Sequence, residues 1–125
     1  GEMSRIMLAF KGIIADKDGI PVLIFDEIDT GISGRTAQVV GEKIKRIAAN
    51  HQIVSISHLP QIAALADTHF AISKDSGDKG VITLVRKLSK EERIEELARL
   101  ISGASTTETT LKHAREMLEL SNKVK

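Results

Sequence analysis

The chain has 125 residues, enough for one domain with a real core and too few for two, and its 42% apolar content is that of a folded, not a disordered, protein. A net charge of +1 excludes a global field that recruits nucleic acid, and the absence of cysteine excludes disulfides and thiolate metal sites and fits a reducing compartment. With no Trp or Tyr and three Phe, the core must be aliphatic, and stacking on nucleic-acid bases is nearly ruled out.

No run of apolar residues approaches membrane-spanning length and no signal peptide opens the chain. The start at Gly1-Glu2, without Met, suggests a fragment or a processed chain. Ile6, Met7, Phe10, Ile13 and Ile14 recur at helical spacing and predict a helix over 3–15. Asp16-Lys17-Asp18-Gly19 is a turn, and Pro21 leads into Val22-Leu23-Ile24-Phe25. A run that short and that apolar predicts a central strand buried on both faces of a parallel sheet. Ser33 is placed to cap a helix over about 35–49, with Val40, Ile44, Ile47 and Ala48 on one face. Ile53, Val54 and Ile56 mark a second strand over 52–57, and Pro60 suits the first turn of a short helix over 60–66.

The segment 68–74 predicts a third strand, 75–80 a polar hairpin loop and 81–86 a fourth strand. The last third reads as a helical pair over 91–101 and 107–120, burying Ile94, Leu97, Leu100 and Ile101, then Leu111, Ala114 and Leu118. This order predicts an α/β fold with a mostly parallel sheet flanked by helices. The first two strands, joined by a helical crossover, should be parallel with a right-handed connection.

The candidate chemistry lies at the strand ends. Asp26 and Glu27 follow the first strand, and open α/β sheets place ligands at that carboxyl edge. Two adjacent carboxylates repel each other, so they are costly unless they have work, such as holding Mg²⁺ on a nucleotide and orienting or deprotonating water. His58 ends the second strand at the same edge, where an imidazole can donate to a phosphate oxygen. Asp29, in a glycine-containing loop, is either a residue that reaches a partner subunit or a turn residue bonding its own backbone. Gly1, Glu2 and Ser4 open a helix whose free N–H groups suit an anion.

Together these residues resemble the C-terminal lobe of an ABC-type ATPase head. Gly1-Glu2 is similar to the tail of the signature motif, Val22 to Glu27 to the Walker B strand, Asp29 to Ser33 to the D-loop and His58 to the switch histidine. Phe25 through Gly34, Ser57-His58-Leu59-Pro60-Gln61-Ile62-Ala63, His69 through Lys74 and Glu96 through Gly103 narrow the resemblance to the RecN family of bacterial SMC-like DNA repair proteins, over nearly the whole chain. The resemblance implies ATP and Mg²⁺ as cofactors. Asp26 would bind the metal through water, Glu27 would be the general base, His58 would sense the γ-phosphate, and Asp29 would cross a dimer interface. Gly1, Glu2 and Ser4 would lie near the nucleotide of the opposite head. It further implies an N-terminal lobe and a second head as partners, DNA engaged by the full-length protein, double-strand break repair by recombination, and a cytoplasmic, nucleoid-associated location.

One departure is large. No Gly-x-x-x-x-Gly-Lys-Ser/Thr run occurs in the 125 residues, and Gly77-Asp78-Lys79-Gly80 has neither its spacing nor its hydroxyl. Half a head of this kind should not hydrolyse ATP alone, and it should expose the apolar surface that the other lobe covers. A non-catalytic interaction module and another SMC or ABC relative are the competing expectations. A receiver- or phosphatase-like reading would use Asp26 but leave His58 without a role. The cations Lys43, Lys45, Arg46, Arg86 and Lys87 fit solvated faces better than phosphate contacts.

Overall fold

The computed structural model describes residues 2–77 and 80–124; Gly1, Asp78, Lys79 and Lys125 lie outside it, as do the side chains of Met3, Ser4, Arg5 and Phe10. Nine elements follow in order: α1 (Glu2–Asp18), β1 (Val22–Asp26), α2 (Gly34–Ile47), β2 (Gln52–Ile56), α3 (Pro60–Ala64), β3 (Phe70–Gly77), β4 (Gly80–Lys87), α4 (Lys90–Ser102) and α5 (Glu108–Ser121). The described strands form two separate two-stranded sheets. β1 and β2 are parallel, in register from Val22 opposite Gln52 to Asp26 opposite Ile56, as the helical crossover requires. β3 and β4 make an antiparallel hairpin that runs further than expected, with Asp75 and Ser76 paired to Ile82 and Val81 instead of lying in the loop.

The first core is built on the loop after β1. Phe25, Ile28 and Ile32 are buried with Leu8 of α1, Ala37, Val40 and Ile44 of α2, and Ile62 of α3. Ile28 and Ile32 anchor that loop at both ends, so its shape is set by packing. The Lys11 ammonium lies 5.5 Å from the centre of the Phe25 ring. Gly41 lets α2 and α3 approach closely, since a Cβ there would meet Leu65 Cδ1 at 2.6 Å. A second core joins Ala64 of α3 to Ile94, Leu97 and Ala98 of α4 and to Ala114 and Leu118 of α5. Thus α3, only five residues long, puts Ile62 in one core and Ala64 in the other. The Arg93 guanidinium reinforces this junction by donating to the carbonyls of Ala64 and Ala66 at 3.3 and 2.7 Å, which α3 leaves free at its end. Ser89 with Glu92 and Thr107 with Thr110 close reciprocal caps that start α4 and α5.

Two expectations are corrected by the packing. β1 is not buried on both faces. Phe25 points into the core, but Ile24 is 63% exposed, and Val22, Val54 and Ile56 are exposed beside it. The described helices cover one face of this pair, and the register aligns the four uncovered side chains into a continuous apolar stripe. Helix α1 likewise turns Leu8, Gly12 and Ala15 inward and leaves Ile6, Met7 and Ile13 in solvent. The hairpin adds Phe70, Ile72, Val81 and Val85 on one face and Ile82 and Leu84 on the other, all exposed. Uncovered apolar surface of this extent is the mark of an interface.

At the opposite edge of the β1–β2 pair, His51 staples α1 to both strands. Its Nδ1 lies 2.7 Å from the Ile20 carbonyl and its Nε2 lies 2.8 Å from Asp16 Oδ1. Both partners are acceptors, so the ring satisfies both only as an imidazolium. These two bonds, from Asp16 first, raise the His51 pKa above its ordinary 6.5. The stabilisation is therefore complete below pH 6.5 and is lost as pH rises through the raised folded value. His69 acts in the opposite sense. Burial and then the Arg93 charge lower its pKa, so its contribution is lost as pH falls below 6.5. In urea unfolding across pH 5 to 9, the stability difference between wild type and His51→Gln is expected to shrink on the alkaline side of about 6.5. A difference that stays constant with pH would rule out the charged staple.

Candidate functional site

Parallel pairing in register brings the carboxyl ends of β1 and β2 side by side. Asp26 stands opposite Ile56, so the segments 26–29 and 57–59 leave the sheet together. Asp26 is exposed at the strand end. Glu27 is also exposed, and it holds φ at +53°, the only positive value at a non-glycine position among the described residues. A left-handed conformation costs roughly 1–2 kcal/mol for a residue with a Cβ, so the surroundings must hold it. Thr30 does so, its N–H and its hydroxyl both donating to the Glu27 carbonyl, at 3.2 and 2.9 Å.

Asp29 is the buried member, 2% exposed. Its Oδ2 accepts from the Ser57 hydroxyl at 2.7 Å and from the His58 backbone N–H at 3.0 Å, and lies 3.1 Å from His58 Nδ1. The Ser57 hydroxyl in turn accepts from the Leu59 N–H at 3.1 Å. Burial pushes the Asp29 carboxyl up, but the bonds from Ser57 and His58 outweigh it and hold the pKa below the ordinary carboxylate value. Asp29 is thus an ionised carboxylate bound to its own chain. A carboxylate so engaged does not reach outward to a partner subunit, although the neighbouring Thr30 and Gly31 are exposed. His58, with its side chain 77% exposed, projects from this anchor into solvent beyond the strand ends.

The structure therefore gathers four expected residues, Asp26, Glu27, Asp29 and His58. Glu2 opens α1 and is exposed. The last turn of α1 is held at the opposite edge of the sheet, where Asp16 pairs with His51. Gly1 and the Ser4 side chain lie outside the described residues. Ser57 and Thr30 were not singled out from the sequence. Their signal was a hydroxyl residue directly before the histidine and another three residues after the carboxylate, a spacing that suits side chain-to-backbone bonding.

No group of three or more metal-ligating side chains forms among the described residues. A lone exposed carboxylate does not suit a resident metal. It does suit Mg²⁺, which keeps several waters and is shared between one or two carboxylates and the phosphates of a nucleotide.

No family model matches the chain. Over all 125 residues it is 52% identical to the DNA repair protein RecN of Halalkalibacterium halodurans and 46% identical to that of Bacillus subtilis. Over 120 residues it is 48% identical to the RecN of Rickettsia conorii. The chain spans 22% of the length of each of these relatives. Its fold is similar to a solved SMC ATPase structure from work on ATP-driven dimerization and DNA-stimulated activation, with a TM-score of 0.68 and 25% identity over 84% of this chain and 63% of that one. With identity of this order extending across its whole length, the chain belongs to the RecN family, and corresponds to the C-terminal ATPase-head lobe of those SMC-like proteins.

Proposed function

We propose that residues 1–125 are one half of an ATP-binding and hydrolysing head that acts in DNA double-strand break repair and recombination. The observation that carries this reading is the convergence of Asp26, Glu27 and His58 at one sheet edge, on loops tied together by Asp29. Asp26 would hold Mg²⁺, which would neutralise phosphate charge in the complete head. Glu27 would accept a proton from water or orient it, and its exposed position past the strand end suits that task. His58 would contact the terminal phosphate. Glu2 at the start of α1, together with Gly1 and Ser4, would face a nucleotide held by a second copy, in keeping with a homodimer of heads.

The other lobe would supply the phosphate loop that this sequence lacks. The uncovered stripe of Val22, Ile24, Val54 and Ile56 is the natural seat for it, because it adjoins Asp26. DNA would be engaged by the full-length protein. No described helix is long and apolar enough to cross a membrane, and action on DNA would place the protein in the cytoplasm, at the nucleoid.

The test is ATP hydrolysis by this chain mixed with the N-terminal lobe, beside the chain alone. Turnover is expected in the mixture only. Magnesium-dependent turnover by the chain alone would sink the half-head reading. Failure of a mixture that demonstrably forms a complex would favour a non-catalytic interaction module.

A further inference from the structure

Of the residues at the strand ends, Asp29 is the only one whose carboxylate is buried, and its bonds end on His58. An ionised carboxylate is acceptor-only, and a histidine nitrogen facing it must carry a hydrogen. The nearer ring nitrogen is Nδ1, 3.1 Å from Asp29 Oδ2. The same oxygen takes the His58 backbone N–H and the Ser57 hydroxyl, which fixes the backbone from which the ring projects. The ring itself is exposed, and the approach of Nδ1 to Asp29 Oδ2 is its one close polar contact among the described residues.

We infer that Asp29 is a positioning residue that holds His58 as its Nδ1–H tautomer, with Nε2 as the nitrogen presented to the ligand. This rests on the ATPase reading above and deepens it. In the neutral ring Nε2 is then an acceptor, suited to a water or a hydroxyl. It donates to a phosphate oxygen only when the ring is an imidazolium. Asp29 would thereby couple the loop after Glu27 to the histidine, so that the two move as one unit. Ser57 serves the same end: its hydroxyl donates a hydrogen bond to Asp29 and accepts one from the Leu59 N–H, locking the turn between β2 and α3.

The experiment is nitrogen NMR of the histidine rings in the full-length protein, selectively ¹⁵N-labelled, at a pH where His58 is neutral, with His58→Gln to assign the signal. A protonated Nδ1 is expected in the wild type. Asp29→Asn, which keeps an acceptor oxygen in place, should retain that tautomer, while Asp29→Ala should lose it. In the same proteins Asp29→Ala should lower kcat by about 10–100-fold, with KM for ATP little changed. A wild-type ring protonated at Nε2, or a tautomer indifferent to Asp29→Ala, would overturn the inference. Should Asp29→Ala not fold, the wild-type spectrum alone decides. Absence of ATP hydrolysis from the wild type would instead defeat the ATPase reading, and the NMR result would stand apart from it.

Discussion

Glu27→Gln in the full-length protein is expected to lower ATP turnover by about 10²–10⁴-fold, the usual worth of a positioned general base. Binding of ATP should survive, because the amide keeps the shape of the side chain and removes only its ability to take a proton. Unfolding should be unchanged as well, since Glu27 is exposed and its backbone is held by Thr30 through the carbonyl. Glu27→Gly separates the two roles of this position. It removes the carboxylate and also relieves the left-handed strain at φ +53°, so activity should fall while stability is kept or rises by about 1 kcal/mol or less. Steady-state turnover, nucleotide-binding titration and urea unfolding measured on both variants test this together. Full turnover by Glu27→Gln would remove Glu27 from the chemistry.

The largest effect on stability is expected at Leu97. It is fully buried, between Ile94 and Ala98 of its own helix, Ala64 of α3, and Ala114 and Leu118 of α5. Leu97→Ala leaves a cavity that these packed neighbours cannot fill, at a cost of about 2–5 kcal/mol. Set against a total stability of about 5–15 kcal/mol for an ordinary domain, that is a large share. Denaturant unfolding of wild type and variant measures it; a loss below about 1 kcal/mol would mean that α4 and α5 contribute little to the cooperative unit. Because α3 takes part in both cores and begins two residues after His58, loosening the second core should also reach the His58 side of the site.

Much of this was legible in the sequence because it depends on short-range pattern. The run Val22 to Phe25 ending in Asp26 and Glu27 defined a strand and its chemical end, and Ile53 to Ile56 ending in His58 defined its neighbour. A helical crossover between them required parallel pairing, and parallel pairing alone put both ends on one edge. The wording around Asp29 and His58 carried the family resemblance, which the identity to RecN proteins bears out.

What the tertiary structure decided is which side of each apolar element is covered, and where each polar group turns. An apolar strand looks the same in sequence whether one face or both are packed, so the exposure of Ile24 and Val54 emerged only once the described helices were seen to cover a single face. The expected apolar face of α1 met the same limit: Leu8 and Ala15 pack, while Ile6 and Ile13 do not. Asp29 is the sharpest case. Loop composition allowed it to face outward to a partner or inward to its own chain, two states that differ only in long-range contacts. Burial of Ile28 and Ile32 on either side pins the loop against the core, and Ser57 and His58, 28 and 29 residues away in sequence, supply the bonds that draw the carboxylate in.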